Sequence, residues 1–273
     1  MEWVETEGVS SDEADRVRPG QPDVLAGRLQ LASLTSALDA VLEGRADALC
    51  TGPITKAAIR LAGFSFPGHT EYLAHRTGTR RFAMMLAGPG LRVVPLTGHL
   101  PLGEVSRAVT PELVADGLLV TASSLFHDFG VERPRLALAA LNPHAGEQGV
   151  LGDEEREILA PGRDAALGEL HRRGVPAAIH GPVSSDALFV PPIPYDAVVC
   201  CYHDQALIPL KMTCRDAAVN VTLGLPIVRT SPAHGTAPDI AWRGRANPGS
   251  MRAALELAAE LVRRRRSRVG WVG

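Results

Sequence analysis

One stretch of this sequence, Asp196 to Gln205, constrains the fold more than any other. It is an apolar run of strand length, Ala197 to Cys201, that leads directly into Tyr202-His203-Asp204-Gln205. Such a run is typical of a strand buried on both faces, as in a parallel sheet. In open parallel sheets, ligands bind beyond the carboxyl ends of the strands. The stretch therefore predicts an α/β fold with His203 and Asp204 at a binding edge. A simple polar turn before a helix is the alternative.

Two further histidines follow strand-like runs in the same way. Leu91 to Leu96 precedes His99, and Arg135 to Leu141 precedes His144. Imidazoles at the ends of three strands can converge on one edge of a sheet and bind a divalent metal, with positions left open for substrate. The three histidines come from distant segments, so spacing alone leaves scattered loop histidines as the alternative.

Other polar residues at predicted element ends suit an anionic ligand. His69 and Thr70 begin a predicted helix, where free N–H groups and the helix dipole favour an anion, although an ordinary N-cap beside a solvated histidine fits as well. Lys211, Asn220 and Arg229 lie at or beside apolar runs. Arginine binds phosphate or carboxylate through two parallel hydrogen bonds and lysine binds as a point charge, but either residue alone is more often a surface charge.

Two weaker signals complete the set. Asp186 follows Gly181-Pro182 and two serines, where it could orient a hydroxyl or act as a base. Gly235-Thr236-Ala237 is a glycine-bearing loop, which by itself is too weak to identify a cofactor site.

Helical and strand-like patterns alternate along the chain. Helical periodicity covers residues 22–43, 110–129, 153–173 and 250–268, whereas residues 1–21 are aperiodic and predict a loop. The alternation predicts a mostly parallel sheet covered by helices on both faces. Arg263 to Arg266 are expected to form the solvated end of the last helix.

Composition excludes several classes of protein. The net charge of −2 does not indicate a nucleic-acid or anionic-membrane binder. The four cysteines lack C-x-x-C or zinc-finger spacing, which fits free thiols in a reducing compartment. The sequence has neither a bilayer-length apolar stretch nor a signal peptide. These observations predict a cytoplasmic protein without nucleic-acid or membrane partners.

Eight short blocks, in order along the chain from about Gly27 to about Leu261, resemble the 4-hydroxythreonine-4-phosphate dehydrogenase family. The blocks are Thr51-Gly52-Pro53, Gly68-His69-Thr70-Glu71, His99-Leu100-Pro101-Leu102, Leu141-Asn142-Pro143-His144-Ala145-Gly146-Glu147, Tyr202-His203-Asp204-Gln205, Asn220-Val221-Thr222-Leu223-Gly224-Leu225-Pro226, Arg229-Thr230-Ser231 and His234-Gly235-Thr236-Ala237.

The resemblance implies a two-domain α/β/α sandwich related to isocitrate and isopropylmalate dehydrogenases. Residues 1–95 with 224–273 would form the first domain and residues 96–223 the second. The active site would lie in the cleft between the domains, at the interface of a homodimer.

The resemblance also assigns roles to residues. A divalent metal (zinc, magnesium, cobalt or manganese) would be held by three histidines, one of them from the partner subunit, and NAD or NADP would lie near the 234–237 loop. The implied metal ligands are His99, His144 and His203; the substrate ligands His69, Thr70, Lys211, Asn220 and Arg229; the catalytic residues Lys211, Asp186 and Asp204; and the cofactor ligands His234, Gly235 and Thr236.

The implied reaction is oxidation of 4-phosphohydroxy-L-threonine and loss of CO2, which gives 3-amino-2-oxopropyl phosphate for pyridoxal phosphate synthesis. Two alternatives remain open at this point. One is a paralogue that oxidises 4-phospho-threonate or 4-phospho-erythronate, and the other is a catalytically impaired protein that binds metal and phosphate.

The sequence departs from the family pattern in a few places. The usual first strand with its Gly/Pro-rich turn is not present, which predicts either a late start or a shortened first domain. Ala206 replaces a usual glycine, and Ala233 stands where aspartate is common. Residues 212–218 lack the usual glycine-rich run.

Overall fold

The computed structural model describes residues 9–214 and 216–269. In this part of the chain, eight strands form one sheet in the order β1-β8-β7-β2-β3-β6-β4-β5. The strands are β1 Ala48–Cys50, β2 Ala83–Gly88, β3 Leu91–Pro95, β4 Arg135–Ala139, β5 Ala178–Val183, β6 Ala197–Cys200, β7 Val219–Leu223 and β8 Val228–Pro232. The sheet contains strands from both predicted domains, and the domain boundaries stay a prediction.

Ten helices connect and cover these strands within the described residues. They are α1 Ser11–Ala14, α2 Val24–Leu42, α3 Lys56–Leu61, α4 His69–Arg76, α5 Leu102–Ala108, α6 Pro111–His127, α7 Ala160–Arg172, α8 Ser185–Leu188, α9 His203–Thr213 and α10 Gly249–Val269. No single one of them is both long and apolar enough to cross a membrane; only α5 and α6 taken as a pair, bent by 87°, reach that length and composition.

The sheet is mixed, so the prediction of a mostly parallel sheet was only half right. β3, β6, β4 and β5 run parallel, as do β1 and β8. β2 is antiparallel to both of its neighbours, β3 and β7, and β7 is antiparallel to β8. The reason lies in the short turns: Pro89 and Gly90, with Gly90 at φ +77°, join β2 to β3. A connection of two residues can join only antiparallel strands.

Apolar side chains alternate between the two faces of the sheet, as β-strand geometry requires. On the first face, residues such as Met85, Val199 and Val221 form one continuous core with α6, α7 and α10. The second face carries two separate clusters, one under α9 and one under α2, α3 and α4. Helices therefore cover both faces, as predicted.

Between the two clusters on the second face lies a strip of polar residues on β7 and β8. Asn220 and Thr222 alternate with Val221 on β7, and Arg229 and Ser231 alternate with Thr230 on β8. The apolar covering of this face is therefore interrupted where β7 and β8 pair, and the interruption locates a candidate site.

Local signals explain most helix boundaries. Asp23 accepts a hydrogen bond from Ala26 N at 2.8 Å and begins α2, which confirms the predicted helix. Thr110 accepts from Leu113 N at 3.2 Å, and Pro111 occupies the first turn of α6. The predicted loop at residues 1–21 was partly wrong because Ser10 caps the short α1 in a capping box; residues 1–8 lie outside the described part.

Two predictions about helices need correction. The helix predicted at 153–173 begins with a wide π-type turn, Glu155–Leu159, before α7. Pro161 explains the wide turn because proline has no N–H for a regular helical hydrogen bond. The arginine run on α10 is also not simply solvated: Arg264 donates to Phe129 O at 2.6 Å and Arg265 to Asp128 at 2.8 Å, which fastens α10 to α6.

Gly27 permits the closest contact between α2 and α3. A Cβ atom at this position would lie 2.1 Å from the carbonyl oxygen of Ala58. We expect Gly27→Ala to lower the free energy of unfolding by roughly 1–3 kcal/mol in urea denaturation, because backbone must move to admit the methyl group. Gly168→Ala on α7 is the matched control, since nothing lies within 4 Å of the added methyl; it should gain about 0.5–1 kcal/mol. Equal stability of Gly27→Ala and the wild type would contradict the close packing.

Candidate functional site

Arg229 is a buried cation in the polar strip of the second face. Its side chain is carried by β8 and the residue is 3% exposed. Nη1 donates to Thr222 Oγ1 at 3.2 Å, and Nη2 donates to Thr51 Oγ1 at 2.8 Å and to His69 Nδ1 at 3.1 Å. Burial lowers the pKa of Arg229 to about 10, so the guanidinium stays charged at neutral pH.

The hydrogen-bond partners of Arg229 are two hydroxyls and an imidazole, none of which carries a negative charge. Arg229 Nε is buried without a partner, and so is Oδ1 of Asn220 on the neighbouring strand. The charge of Glu71 acts on Arg229 only at a distance, without a hydrogen bond between them. Burying a charge without a hydrogen-bonded counter-ion, and leaving polar atoms unpaired, is unfavourable. The arrangement is therefore suited to an anionic group, which guanidinium binds through paired, charge-assisted hydrogen bonds.

His69 supports this interpretation from the start of α4, next to Thr70. Burial, with the positive charge of Arg229 as a second cause, lowers the pKa of His69 to about 4. The neutral ring can accept the hydrogen bond from Arg229 on Nδ1, which leaves Nε2 as a donor. Both residues predicted here as anion ligands lie at the first turn of the helix, where the dipole adds to the attraction.

The lowered pKa of His69 predicts a pH-dependent stability. Between pH 6.5 and about 4, the unfolded chain binds a proton at His69 that the folded protein does not bind. Stability should therefore fall as pH falls through this window, by at most about 3 kcal/mol. Chemical denaturation of wild type and His69→Asn across the window measures this, because asparagine can accept from Arg229 without titrating. Identical pH slopes for the two proteins would contradict the prediction.

His99 and His203 lie at the carboxyl ends of adjacent parallel strands, β3 and β6. Backbone pairing continues past both strands, with Leu96 N donating to Cys200 O at 2.8 Å and Thr97 N to Cys201 O at 3.2 Å. The two imidazole rings have their centroids 5.4 Å apart. Burial, followed by the charges of Lys56 and His203, lowers the pKa of His99 and favours its neutral, ligating form.

The geometry of this pair is compatible with a shared metal ion. An ion about 2.0–2.1 Å from one nitrogen of each ring, at a tetrahedral angle, puts the ring centroids roughly 5 Å apart. His203 Nδ1 is 2.6 Å from Asp204 Oδ1, so a carboxylate fixes the ring and leaves Nε2 free. Carboxylate–histidine pairs of this kind are typical of metal ligands in proteins.

His144 does not join that pair within one chain. No group of three or more His, Cys, Asp or Glu side chains suited to a metal occurs among residues 9–214 and 216–269. His144 instead lies near Asp186, whose pKa is lowered by a hydrogen bond from the Ser184 hydroxyl and, less strongly, by the charge of His144. A single copy of the chain thus brings together two of the three predicted ligands.

Lys211 lies apart from the histidine pair. It is eight residues beyond His203 on α9, about 12 Å along a regular helix. It lines a separate cavity of about 870 Å³ together with His234 and Met212. Lys211 and His203 of the same chain therefore lie near opposite ends of α9.

The predicted cofactor loop lines a cavity of about 590 Å³. His234, Gly235 and Thr236 form one wall, and Asn247 and Ser250 close another side. The loop includes Ala237 at φ +43° and Trp242, which is 91% exposed. The cavity is open and large enough for part of a nucleotide cofactor.

The sequence interpretation missed Lys56 and Glu71 as possible site residues. Both line a cavity of about 430 Å³ that also contains His69, Thr70 and His99. The signal was present: Lys56 follows Thr51-Gly52-Pro53 at the end of β1, which is the same context as the three strand-end histidines. Glu71 directly follows Thr70 in the same helical turn.

Comparison with known proteins gives consistent results. A curated protein of Erythrobacter litoralis, named 4-hydroxythreonine-4-phosphate dehydrogenase, is 50% identical to this chain. The match covers 90% of this chain and 73% of that protein. The protein of the same name in Paracoccus denitrificans is 48% identical, over 91% of this chain and 77% of its own length.

Solved structures are also similar to this chain. The 4-hydroxythreonine-4-phosphate dehydrogenase of Klebsiella pneumoniae superposes with a TM-score of 0.80 at 40% identity, over 92% of this chain and 74% of that one. A terephthalate 1,2-cis-dihydrodiol dehydrogenase from Burkholderia xenovorans superposes with a TM-score of 0.68 at 27% identity, over 94% and 79% of the two chains. These matches confirm the predicted α/β fold.

Residues 4–258 match the family described as pyridoxal phosphate biosynthetic protein PdxA. The chain therefore belongs to the PdxA family.

Proposed function

We propose that this protein is a 4-hydroxythreonine-4-phosphate dehydrogenase, which oxidises and decarboxylates 4-phosphohydroxy-L-threonine to 3-amino-2-oxopropyl phosphate and CO2. The observation that carries the proposal is Arg229, a buried cation with neutral hydrogen-bond partners. One of those partners, His69, lines the same cavity as His99. The names of the relatives above support the choice of substrate.

In this proposal the polar strip holds the anionic substrate. Arg229 and Asn220 offer unpaired polar atoms, and His69 and Thr70 add donors at the start of α4. A phosphate or carboxylate here would accept from Arg229, whereas Oδ1 of Asn220 would accept from a hydroxyl or ammonium group of the substrate. The hydroxy-acid end of the substrate would lie toward His99.

The metal would be held by His99 and His203 of one chain and His144 of a second copy. Exposed apolar residues near the predicted site residues support such a homodimer: Leu102 is 73% exposed, Val150 76% and Val190 62%. They follow His99, His144 and Asp186 within a few positions in the sequence, and an interface between two copies would cover them. Lys211 would reach the substrate from the second copy in the same way.

The chemistry balances as an oxidation followed by loss of CO2. The hydroxyl-bearing carbon gives up a hydride and its hydroxyl gives up a proton; the carbon–carboxylate bond then breaks, and its electron pair is protonated. Bound NAD or NADP would accept the hydride, and a bound divalent metal would act as a Lewis acid toward the substrate oxygens.

The residues of the chain bind, orient and move protons. Asp204 orients His203. Asp186 is ionised at neutral pH, and the hydrogen bond from the Ser184 hydroxyl lowers its pKa further, so it is suited to accept a hydrogen bond from the substrate. Lys211 is a candidate for the hydroxyl proton. His234, Gly235 and Thr236 would contact the cofactor in the 590 Å³ cavity.

The test is formation of NADH or NADPH by the purified protein. Reactions contain 4-phosphohydroxy-L-threonine, 4-phospho-threonate or 4-phospho-erythronate, each with and without zinc, manganese, magnesium or cobalt. The proposal requires the highest kcat/KM with phosphohydroxythreonine and loss of turnover with a chelator. Higher kcat/KM with a phosphorylated sugar acid would make the protein a paralogue. Metal binding without turnover on any of the three would make it a binding protein.

We further propose a cytoplasmic location. All four cysteines are free, and three of them are buried. Burial raises the pKa of Cys201 to about 12, so its thiol stays protonated and unreactive. Unpaired thiols of this kind fit a reducing compartment.

A further inference from the structure

The loop that carries His144 has an unusual backbone. His144, Ala145, Gly146, Glu147 and Gln148 all have φ between +43° and +76°. Left-handed backbone is unfavourable for residues with a Cβ atom, and four of these five have one. Single residues adopt it in many turns, but a run of five requires that surrounding contacts hold it.

Glu155 supplies contacts at the base of this loop. It is a buried carboxylate, 8% exposed, on the wide turn that precedes α7. Its Oε1 accepts hydrogen bonds from Leu141 N at 2.9 Å and from Asn142 N at 2.7 Å. Its Oε2 accepts from the side-chain amide of Asn142 at 3.1 Å. Three donors from the two residues just before Pro143 therefore converge on one carboxylate.

The loop also packs directly onto this carboxylate. A Cβ atom added to Gly146 would lie 2.7 Å from Glu155 Oε2 and 2.9 Å from the carbonyl oxygen of Gly152. Leu151 N donates to Gly146 O at 3.0 Å and closes the loop. The wide turn is in turn fixed by Leu159, which is fully buried in the core of the first face. A rigid element thus presents Glu155 to the loop.

We propose that Glu155 is a positioning residue for His144. It holds the chain at Leu141 and Asn142 and supports the left-handed turn, so that the His144 imidazole is presented in one direction at the surface. This inference deepens the proposed function, because the role of His144 as a metal ligand rests on that proposal. The effect of Glu155 on the loop does not rest on the proposed function.

Glu155→Gln is the informative variant because it keeps the size of the side chain. One acceptor oxygen becomes an NH2 group, which cannot accept from the Asn142 amide. Glu157→Gln removes an exposed carboxylate from the same turn. Leu170→Ala removes core packing from α7, far from both the turn and the loop. The wild type and the three variants are compared in three measurements. These are hydrogen–deuterium exchange of the metal-free protein, thermal unfolding, and titration with zinc or manganese alone.

We expect Glu155→Gln to exchange the amides of residues 141–149 at least about tenfold faster, with little change elsewhere, and to bind metal about 10–100-fold more weakly. Glu157→Gln should match the wild type in all three measurements. Leu170→Ala should unfold at a lower temperature yet bind metal within about twofold of the wild type.

Unchanged exchange at 141–149 in Glu155→Gln would overturn the proposal. Faster exchange throughout the chain, as expected for Leu170→Ala, would also overturn it, because Glu155 would then be a general structural residue. If the wild type binds no metal, the proposed metal site is lost, whereas the exchange comparison still decides whether Glu155 orders the loop.

Discussion

Replacing Arg229 with methionine should reduce kcat/KM for the phosphorylated substrate by about 10³-fold, because two charge-assisted hydrogen bonds to the substrate anion are lost. The same change should leave the free energy of unfolding within about 1 kcal/mol of the wild type or raise it, since removing a buried charge without an ionic partner relieves a desolvation cost. Steady-state kinetics and urea denaturation of the same preparations measure both effects.

Arg229→Lys is the control for charge. Lysine keeps the positive charge, but its single nitrogen lacks the planar fork with which Arg229 reaches Thr222 and Thr51 from two different nitrogens. We expect an intermediate loss of kcat/KM, about 10–10²-fold. A methionine variant that turns over normally would show that no substrate anion binds at Arg229. A large loss of stability in that variant would show instead that the guanidinium is structural.

Replacing any one of the three histidines with alanine should remove metal-dependent turnover down to the background rate. In one chain only His99 and His203 approach each other, with ring centroids 5.4 Å apart, so each replacement leaves a site with two imidazoles at most. Fold should be retained, because His144 is an exposed loop residue and His203 is the first residue of α9. Metal titration, activity and circular dichroism are compared for His99→Ala, His144→Ala and His203→Ala.

Mixing two inactive variants tests whether the third ligand comes from a second copy. A dimer of one His144→Ala chain and one His203→Ala chain has one complete set of histidines if His144 crosses the interface. Random exchange of subunits should then restore about a quarter of the sites. Mixing His99→Ala with His203→Ala is the control and should restore none, because those two residues must come from the same chain. Recovery in the control, or none in the first mixture, would contradict the arrangement.

Sequence patterns were most informative about local structure. Asp23, Thr110 and Pro111 fix helix starts through contacts with residues only three or four positions away. The pairing of strands is decided by distant residues, and the apolar run of β2 contains no sign that β7 would insert beside it. For that reason the antiparallel centre of the sheet was not predicted, although the turn at Pro89 and Gly90 explains one of its pairings.

In the candidate site, too, contacts that follow from local sequence context were predicted, and contacts between distant segments were not. The strand-end context of His99 and His203 predicted that they would approach, and they do. Arg229 and Thr51, in contrast, are separated by 178 positions, and no pattern in either segment indicates their hydrogen bond. Lys211 and His203 are eight residues apart in the sequence, yet the length of α9 separates them, and Lys211 lines a cavity with His234 instead.

The strand order also determines when the sheet can form during synthesis on a ribosome. β1 pairs only with β8, so it lacks a neighbour until the nascent chain extends beyond Pro232, and β2, already paired with β3, lacks its second neighbour until β7 is made. Closing loops this long is slow, and exposed strand edges invite association with other chains until it is complete. Arg229 arrives on the same late segment that closes the sheet. Completion of the fold and completion of the anion site are therefore one event, and a chain interrupted before β8 has neither.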